Sequence, residues 1–164
     1  MKKFPIFIQP DNMDCGPTCL RMVAKHYNRL ISIQKLRSLS ETTRNGSSLK
    51  GISEAAEKIG FRTLGVKIDL KKIEEEAPFP CIVFWNQSHF VVVYKIKKDK
   101  VFIADPAHGL LTYSKQEFIE NWIGKHATET TEEGIVLLLE PTAKLTEKEE
   151  DDLAKKEGMG FLCG

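Results

Sequence analysis

Cys15 lies in the run Asp14-Cys-Gly-Pro-Thr-Cys19, where apolar residues begin to recur at helical spacing. A thiol attacks as its thiolate, and the free N–H groups and partial positive charge at a helix head lower a thiol's pKa. That makes Cys15 a candidate nucleophile, although a small cysteine at a helix start can equally be packing. A base is what separates the two readings. His89 opens the apolar run His-Phe-Val-Val-Val-Tyr94, where an imidazole is out of place as core. Asp105 ends a run expected to pair with that of His89, and a carboxylate there would orient the ring and stabilise the imidazolium. Gln9, six residues before Cys15, offers a side-chain N–H beside the cysteine's own backbone N–H as an oxyanion hole. The competing reading of Gln9 is a loop amide turned to water.

These four residues need elements to hold them. Leu20, Val23, Ala24 and Tyr27 follow Cys15 at helical spacing, with Asp14 placed as a cap and Pro17 suited to the first turn, so a helix begins at the cysteine. Further helices are expected over 32–40 and 48–59, the latter stopped by Gly60, and a short one after Asp69. From there the pattern changes to strand-sized apolar runs at 81–85, 89–96, 101–104, 110–113 and 135–139. Lys97-Lys-Asp-Lys100 reads as a hairpin turn, which makes the strands of His89 and Asp105 antiparallel neighbours. Ser114 and Glu117 form a capping box that opens a helix through Trp122. The expected class is α+β, with N-terminal helices packed on a C-terminal antiparallel sheet. The chain order Cys, His, Asp is that of papain-like enzymes.

Composition narrows the functions further. The 164 residues fit a single domain, read as 1–140, with a charged linker or tail at 141–164 that contains Glu147-Lys-Glu-Glu-Asp-Asp152. Twenty-four basic against 23 acidic residues leave +1, so no field favours a nucleic-acid partner. The start Met1-Lys-Lys3 and the apolar residues after it imitate a signal peptide, but Pro5 and Gln9-Pro-Asp11 cut the run short. No apolar stretch approaches the roughly 18 residues a membrane helix needs, so the chain is expected to be soluble as it stands. Cys15, Cys19, Cys81 and Cys163 are too few and too irregular for a disulfide scaffold or a zinc site, and Cys19 and Cys81 are expected to be packing. Among the other histidines, His26 reads as surface and His126 follows a turn. His108, three residues past Asp105, is the rival for a place at the rim of the site. Trp85 and Trp122 read as core.

The motif Gln9-x-Asp11-x-x-Asp14-Cys15-Gly16 with Cys19-Leu20 resembles the N-terminal signature of C39 peptidases, the processing domains of bacterial peptidase-containing ABC transporters. The resemblance extends over about residues 9 to 140. It takes in Gly46-Ser-Ser-Leu49, Pro80-x-Ile82, His89-Phe-Val-Val-Val93, Asp105-Pro106-x-x-Gly109 and Trp122-x-Gly124, all in the family's order. It implies a papain-like cysteine peptidase fold with Cys15 as nucleophile, His89 as base, Asp105 as orienting carboxylate and Gln9 as oxyanion donor, the four that residue chemistry selects. It also implies a substrate: the leader of a secreted bacteriocin, lantibiotic or signalling peptide, cut after a Gly-Gly or Gly-Ala pair in step with export. No cofactor is implied for the peptidase itself, since ATP would bind a separate domain. Transmembrane and ATP-binding domains of the exporter are the implied partners, at the cytoplasmic face of the membrane. The chain is then expected to be an excised domain. Two other classes are compatible: a non-cleaving leader-binding module, against which Cys15 and His89 speak, and a papain-like acyltransferase, which differs in using an amine as acceptor.

Overall fold

The computed structural model describes residues 3–86, 88–128 and 132–146. Three helices come first: α1 (Cys15–His26), α2 (Ile33–Ser40) and α3 (Leu49–Ile59). Then follow β1 (Phe61–Ile68), α4 (Leu70–Glu76), β2 (Cys81–Trp85), β3 (His89–Lys97), β4 (Lys100–Asp105), β5 (Gly109–Ser114), α5 (Lys115–Trp122) and β6 (Gly134–Pro141).

Local chemistry sets the helix starts. Ser32, Ser48, Asp69 and Ser114 each accept the backbone N–H three residues on, at the heads of α2, α3, α4 and α5. At α5 the box is reciprocal, Glu117 reaching back to the Ser114 N–H. The head of α1 is different: Asp14 occupies the cap position and makes no capping bond.

The strands form one antiparallel sheet in the order β1-β6-β2-β3-β4-β5. Lys97 pairs with Lys100 across the expected hairpin, Lys98 taking the left-handed conformation (φ 55°) that a tight turn requires. β1 is a departure from the sequence reading, which placed no strand before Asp69. Arg62, Gly65 and Lys67 interrupt its apolar pattern because it is an edge strand with half-exposed faces. An eight-pair ladder with β6 holds it in place.

Side chains on the two faces of the sheet build two apolar clusters. Leu20, Met22, Ile52, Ile59, Phe90 and Val92 belong to the one under α1, α2 and α3. Ile73, Val83, Val91, Ile103 and Phe118 belong to the one under α4 and α5. Trp85 and Trp122 lie in the second, as core, and Cys19 and Cys81 are fully buried in the first and second respectively.

The folded body continues past the boundary expected from composition. β6 runs to Pro141, and a 3-10 turn at Ala143–Thr146 buries Leu145. Arg29 fastens this end, its Nη1 donating to the carbonyls of Ile59 (2.7 Å), Leu145 (2.9 Å) and Lys144 (3.3 Å). Gly60, at φ 122°, lies so close under Leu145 that a Cβ there would collide with backbone. Residues 147–164, most of the expected linker and with it Cys163, lie outside the described residues.

Candidate active site

Cys15 is the first residue of α1, directly after a 3-10 turn at Asn12–Asp14, and is 6% exposed. Its helix is buried through Cys15–Leu20 and Met22–Ala24, so it runs through the molecule's interior instead of along its surface. One turn along, the Cys19 thiol donates to the carbonyl of Phe90 at 3.2 Å, which pins α1 to β3 beside His89. Gly16 lets the helix head approach α3, because a Cβ there would come within 2.5 Å of Ile52 Cδ1 and 3.3 Å of Ser47 Cβ.

His89 begins β3 and Asp105 ends β4. Val92 pairs with Ala104 between them, so the two residues share one end of adjacent antiparallel strands. His89 Nε2 lies 2.8 Å from Asp105 Oδ1, which also accepts the Ala107 N–H at 2.8 Å. Asp105 Oδ2 lies 3.2 Å from His108 Nδ1. Cys15 lies near enough to His89 to contribute to the raised pKa of the ring. With Nε2 committed to Asp105, Nδ1 is the ring nitrogen that remains for the thiol.

The electrostatics follow from these contacts. Burial alone would pull the His89 pKa down, but hydrogen bonds to Asp105 and Cys15, and the negative charges of both, push it up to about 9. Burial likewise opposes the Asp105 carboxylate, yet the bonds from His89, Ala107 and His108 hold it below the usual range. At neutral pH this is an imidazolium held by the Asp105 carboxylate. Cys19 and Cys81 have the opposite character: burial raises both thiols, Cys81 to about 12, so neither ionises near neutrality.

Gln9 is half-buried and is tied to the same end of the sheet through its N–H, which donates to Pro106 O at 2.8 Å. Its side chain donates from Nε2 to Asp11 O at 2.9 Å, which uses one of two amide hydrogens and leaves the other. His89 and Asp105 therefore meet beside Cys15, and Gln9 is joined to them through Pro106, the neighbour of Asp105. His108 approaches the second oxygen of Asp105 with a side chain 72% exposed. His26 is exposed and stacks on Phe4, and His126 is exposed near Glu132.

Cys15 opens onto a cleft of about 340 Å³, bordered by Asn12, Met13, the loop Arg44–Ser47, Phe84, Ser88 and Phe90. Sequence reasoning did not find these lining residues. The one pointer was Gly46-Ser-Ser-Leu49, whose loop closes back on the helix head through Gly16. A larger groove, about 860 Å³, lies at the far end of α1 between Phe4, His26, Tyr94 and Phe102, and none of the four candidate residues borders it. Size is a poor guide here, since the cleft with the nucleophile is the smaller one. A second difference from expectation concerns Asp14. It is fully buried, and Arg37 grips its carboxylate with two bonds, Nε to Oδ1 at 2.7 Å and Nη2 to Oδ2 at 2.6 Å, so it does not cap α1. Among the described residues no group of three His, Cys, Asp or Glu side chains could hold a metal ion, and no helix is long and apolar enough to cross a membrane.

Known proteins are similar to this chain in sequence and in fold. Over 129 residues the chain is 42% identical to the lactococcin-G-processing and transport ATP-binding protein LagD of Lactococcus lactis subsp. lactis, covering 76% of this chain and 18% of that protein. It is 30% identical over 123 residues to the colicin V secretion/processing ATP-binding protein CvaB of Escherichia coli, covering 75% and 18%. The chain thus spans under a fifth of the length of these relatives. Among solved structures, a double glycine motif protease from an AMS/PCAT transporter, in complex with the leader peptide, superposes with a TM-score of 0.76 at 30% identity, covering 85% of this chain and 93% of that one. The peptidase domain of Streptococcus ComA, a bi-functional ABC transporter involved in a quorum-sensing pathway, gives 0.73 at 32% identity, covering 85% and 100%. Residues 3–134 match the Peptidase C39 family. Because that match runs across Gln9, Cys15, His89 and Asp105 alike and stops only where β6 begins, the chain belongs to the peptidase C39 family.

Proposed function

We propose that this chain is the cysteine endopeptidase domain that removes the leader of a secreted peptide, cutting after a Gly-Gly or Gly-Ala pair. The observation that carries the reading is the 2.8 Å bond between His89 Nε2 and Asp105 Oδ1, which leaves the other ring nitrogen for the nearby Cys15 at the head of α1. The Cys15 thiolate attacks the carbonyl carbon before the scissile bond, and the oxyanion that forms is met by the Cys15 N–H and the remaining N–H of Gln9. As the C–N bond breaks, the imidazolium of His89 gives its proton to the leaving amine, so a thioester on Cys15 and a free N-terminus result. Water then attacks the thioester with His89 as base, which returns the thiol and releases the leader with a new carboxylate. Asp105 keeps the ring turned and its positive charge stabilised throughout.

The leader occupies the cleft beside Cys15 with its last two residues, where glycine admits the backbone to the thiol without a side chain to place. Its preceding helix docks by an apolar face farther away and contributes binding energy. The larger groove, with Phe4, Tyr94 and Phe102 beside the exposed Lys3, Lys25 and Lys95, is a surface of the kind such a helix needs. The names of the relatives support a place for the domain beside the transmembrane and ATP-binding parts of an exporter, on the cytoplasmic face of the membrane.

The test is a time course, read by mass spectrometry, on four peptides: an intact double-glycine leader, the same leader with Val for the Gly before the scissile bond, one with Ala two residues before it, and a short peptide holding the Gly-Gly bond alone. Cleavage of the first and third, with the second blocked and the fourth slow, is expected. If the Val variant or the short peptide is cut as fast as the native leader, the leader-peptidase reading fails. An amine added to the reaction should not be incorporated into the product; incorporation in preference to water would make the domain an acyltransferase.

A further inference from the structure

An aspartate directly before the nucleophile is an awkward neighbour. Asp14 occupies the cap position of α1 and is fully buried, so its charge faces the protein with no water to screen it. A carboxylate at a cap ordinarily turns onto the second or third N–H of the helix. In α1 the third residue is Pro17, which has no N–H, so the donor left to such a carboxylate is Gly16, adjacent to Cys15. A carboxylate resting there would satisfy the helix head and place a negative charge against the thiolate. The structure has the opposite arrangement: both oxygens of Asp14 are taken up by the planar guanidinium of Arg37 from α2.

We propose that Arg37 is a positioning residue for catalysis, which holds the Asp14 carboxylate off the head of α1 and neutralises it, so that this helix end acts on Cys15. The inference rests on Cys15 being the nucleophile. The other titratable and charged groups around Cys15 are His89 from β3, backed by Asp105 at the end of β4, Cys19 one turn along α1, and Arg44 in the loop bordering the same cleft. None of them touches Arg37, whose acidic neighbours are Asp14 and Asp11. Removing Arg37 therefore changes the charge beside Cys15 through Asp14.

The experiment is the pH dependence of iodoacetamide alkylation at Cys15, followed by peptide mass mapping on the full chain, for wild type, Arg37→Met, Arg37→Lys, Asp14→Asn and the double variant Arg37→Met/Asp14→Asn. Arg37→Met leaves the carboxylate unpaired, and the alkylation midpoint should rise by about 1 pH unit, a shift of the size a like charge nearby produces. Leader cleavage measured at a pH below both alkylation midpoints should fall about 10-fold in kcat, with KM held. Arg37→Lys should lie near wild type, and the double variant should return the midpoint to within a few tenths of a unit. Asp14→Asn alone should leave the midpoint unchanged or lower it. A purely structural ion pair would instead raise the midpoint in both single variants, and the double variant would not recover. If Arg37→Met does not fold, Asp14→Asn decides: a raised midpoint overturns the proposal, and an unchanged or lowered one upholds it. Failure of Cys15→Ala to abolish cleavage would instead remove the nucleophile assignment, so the two failures are distinct.

Discussion

Replacing Asp105 by Asn tests the ion pair at the centre of the site with little change of shape. Oδ1 already accepts two bonds, from His89 and Ala107, so the amide oxygen of Asn should stay there and the amide nitrogen should turn toward His108. The orientation of His89 is then kept while the charge that favours its proton is gone. His89 stands at about 9 in the folded protein against an ordinary 6.5, raised by Asp105 and Cys15 against the effect of burial. Losing the Asp105 charge should lower it by about 1 to 2 units, the usual effect of one nearby opposite charge. With a shift of about 1.5 units, the protonated fraction at pH 8 falls from about nine-tenths to about a quarter. The assay is kcat/KM for leader cleavage between pH 5 and 10. The alkaline limb, which belongs to the coupled Cys15–His89 pair, should move down by more than one unit. The loss of kcat at the optimum should stay well below the ~10⁴-fold known for the equivalent change in a serine triad, because there the wrong imidazole tautomer is held and here Oδ1 still accepts from Nε2. An alkaline limb that stays in place in the variant would refute the argument that Asp105 sustains the imidazolium.

Cys15→Ala should abolish cleavage while the fold and leader binding persist; measurable turnover in that variant would remove Cys15 as nucleophile. Iodoacetamide at neutral pH should label Cys15 ahead of Cys19 and Cys81, whose thiols are raised by burial, and peptide mapping that finds equal labelling would contradict this. Gln9→Ala should reduce kcat by roughly 10²- to 10³-fold with KM nearly constant, the pattern of a donor that acts in the transition state, and an unchanged kcat would take Gln9 out of the site. Thermal unfolding should report the same charges. His89, raised in the fold, stabilises fully below pH 6.5 and loses that contribution as pH climbs through about 9, whereas Asp105, lowered in the fold, loses its contribution as pH falls through its folded value. Stability of the intact chain that fails to decline on the alkaline side would contradict the raised His89.

Much of this site was legible because its chemistry depends on residue type and local pattern. A cysteine at the start of an apolar helix, a histidine at the head of a valine run and an aspartate ending the next strand are each visible in a few residues, and the Lys97-to-Lys100 hairpin fixes which strands are neighbours. What stayed hidden depends on distant partners. β1 forms because β6, more than sixty residues later, offers it a ladder, and its own residues carry an edge strand's mixed pattern. Asp14 read as a cap because capping is the local option; Arg37, in the next helix, competes for the carboxylate and wins it. The walls of the cleft come from four separate stretches, which no local periodicity brings together.

The clasp of Arg29 on the carbonyls of Lys144 and Leu145 bears on how this domain could be leashed to anything that follows it. A leash is measured from where the body lets go, and among the described residues the body still holds Thr146, five residues past the proline where composition first shifts. Five residues taken out of a leash shorten its extended reach by about 17 Å, and a shorter leash raises the local concentration of one tethered body at another until the span can no longer be bridged. Loosening the clasp, as Arg29→Ala should, would free those residues to lengthen any such leash without altering a single atom of the cleft.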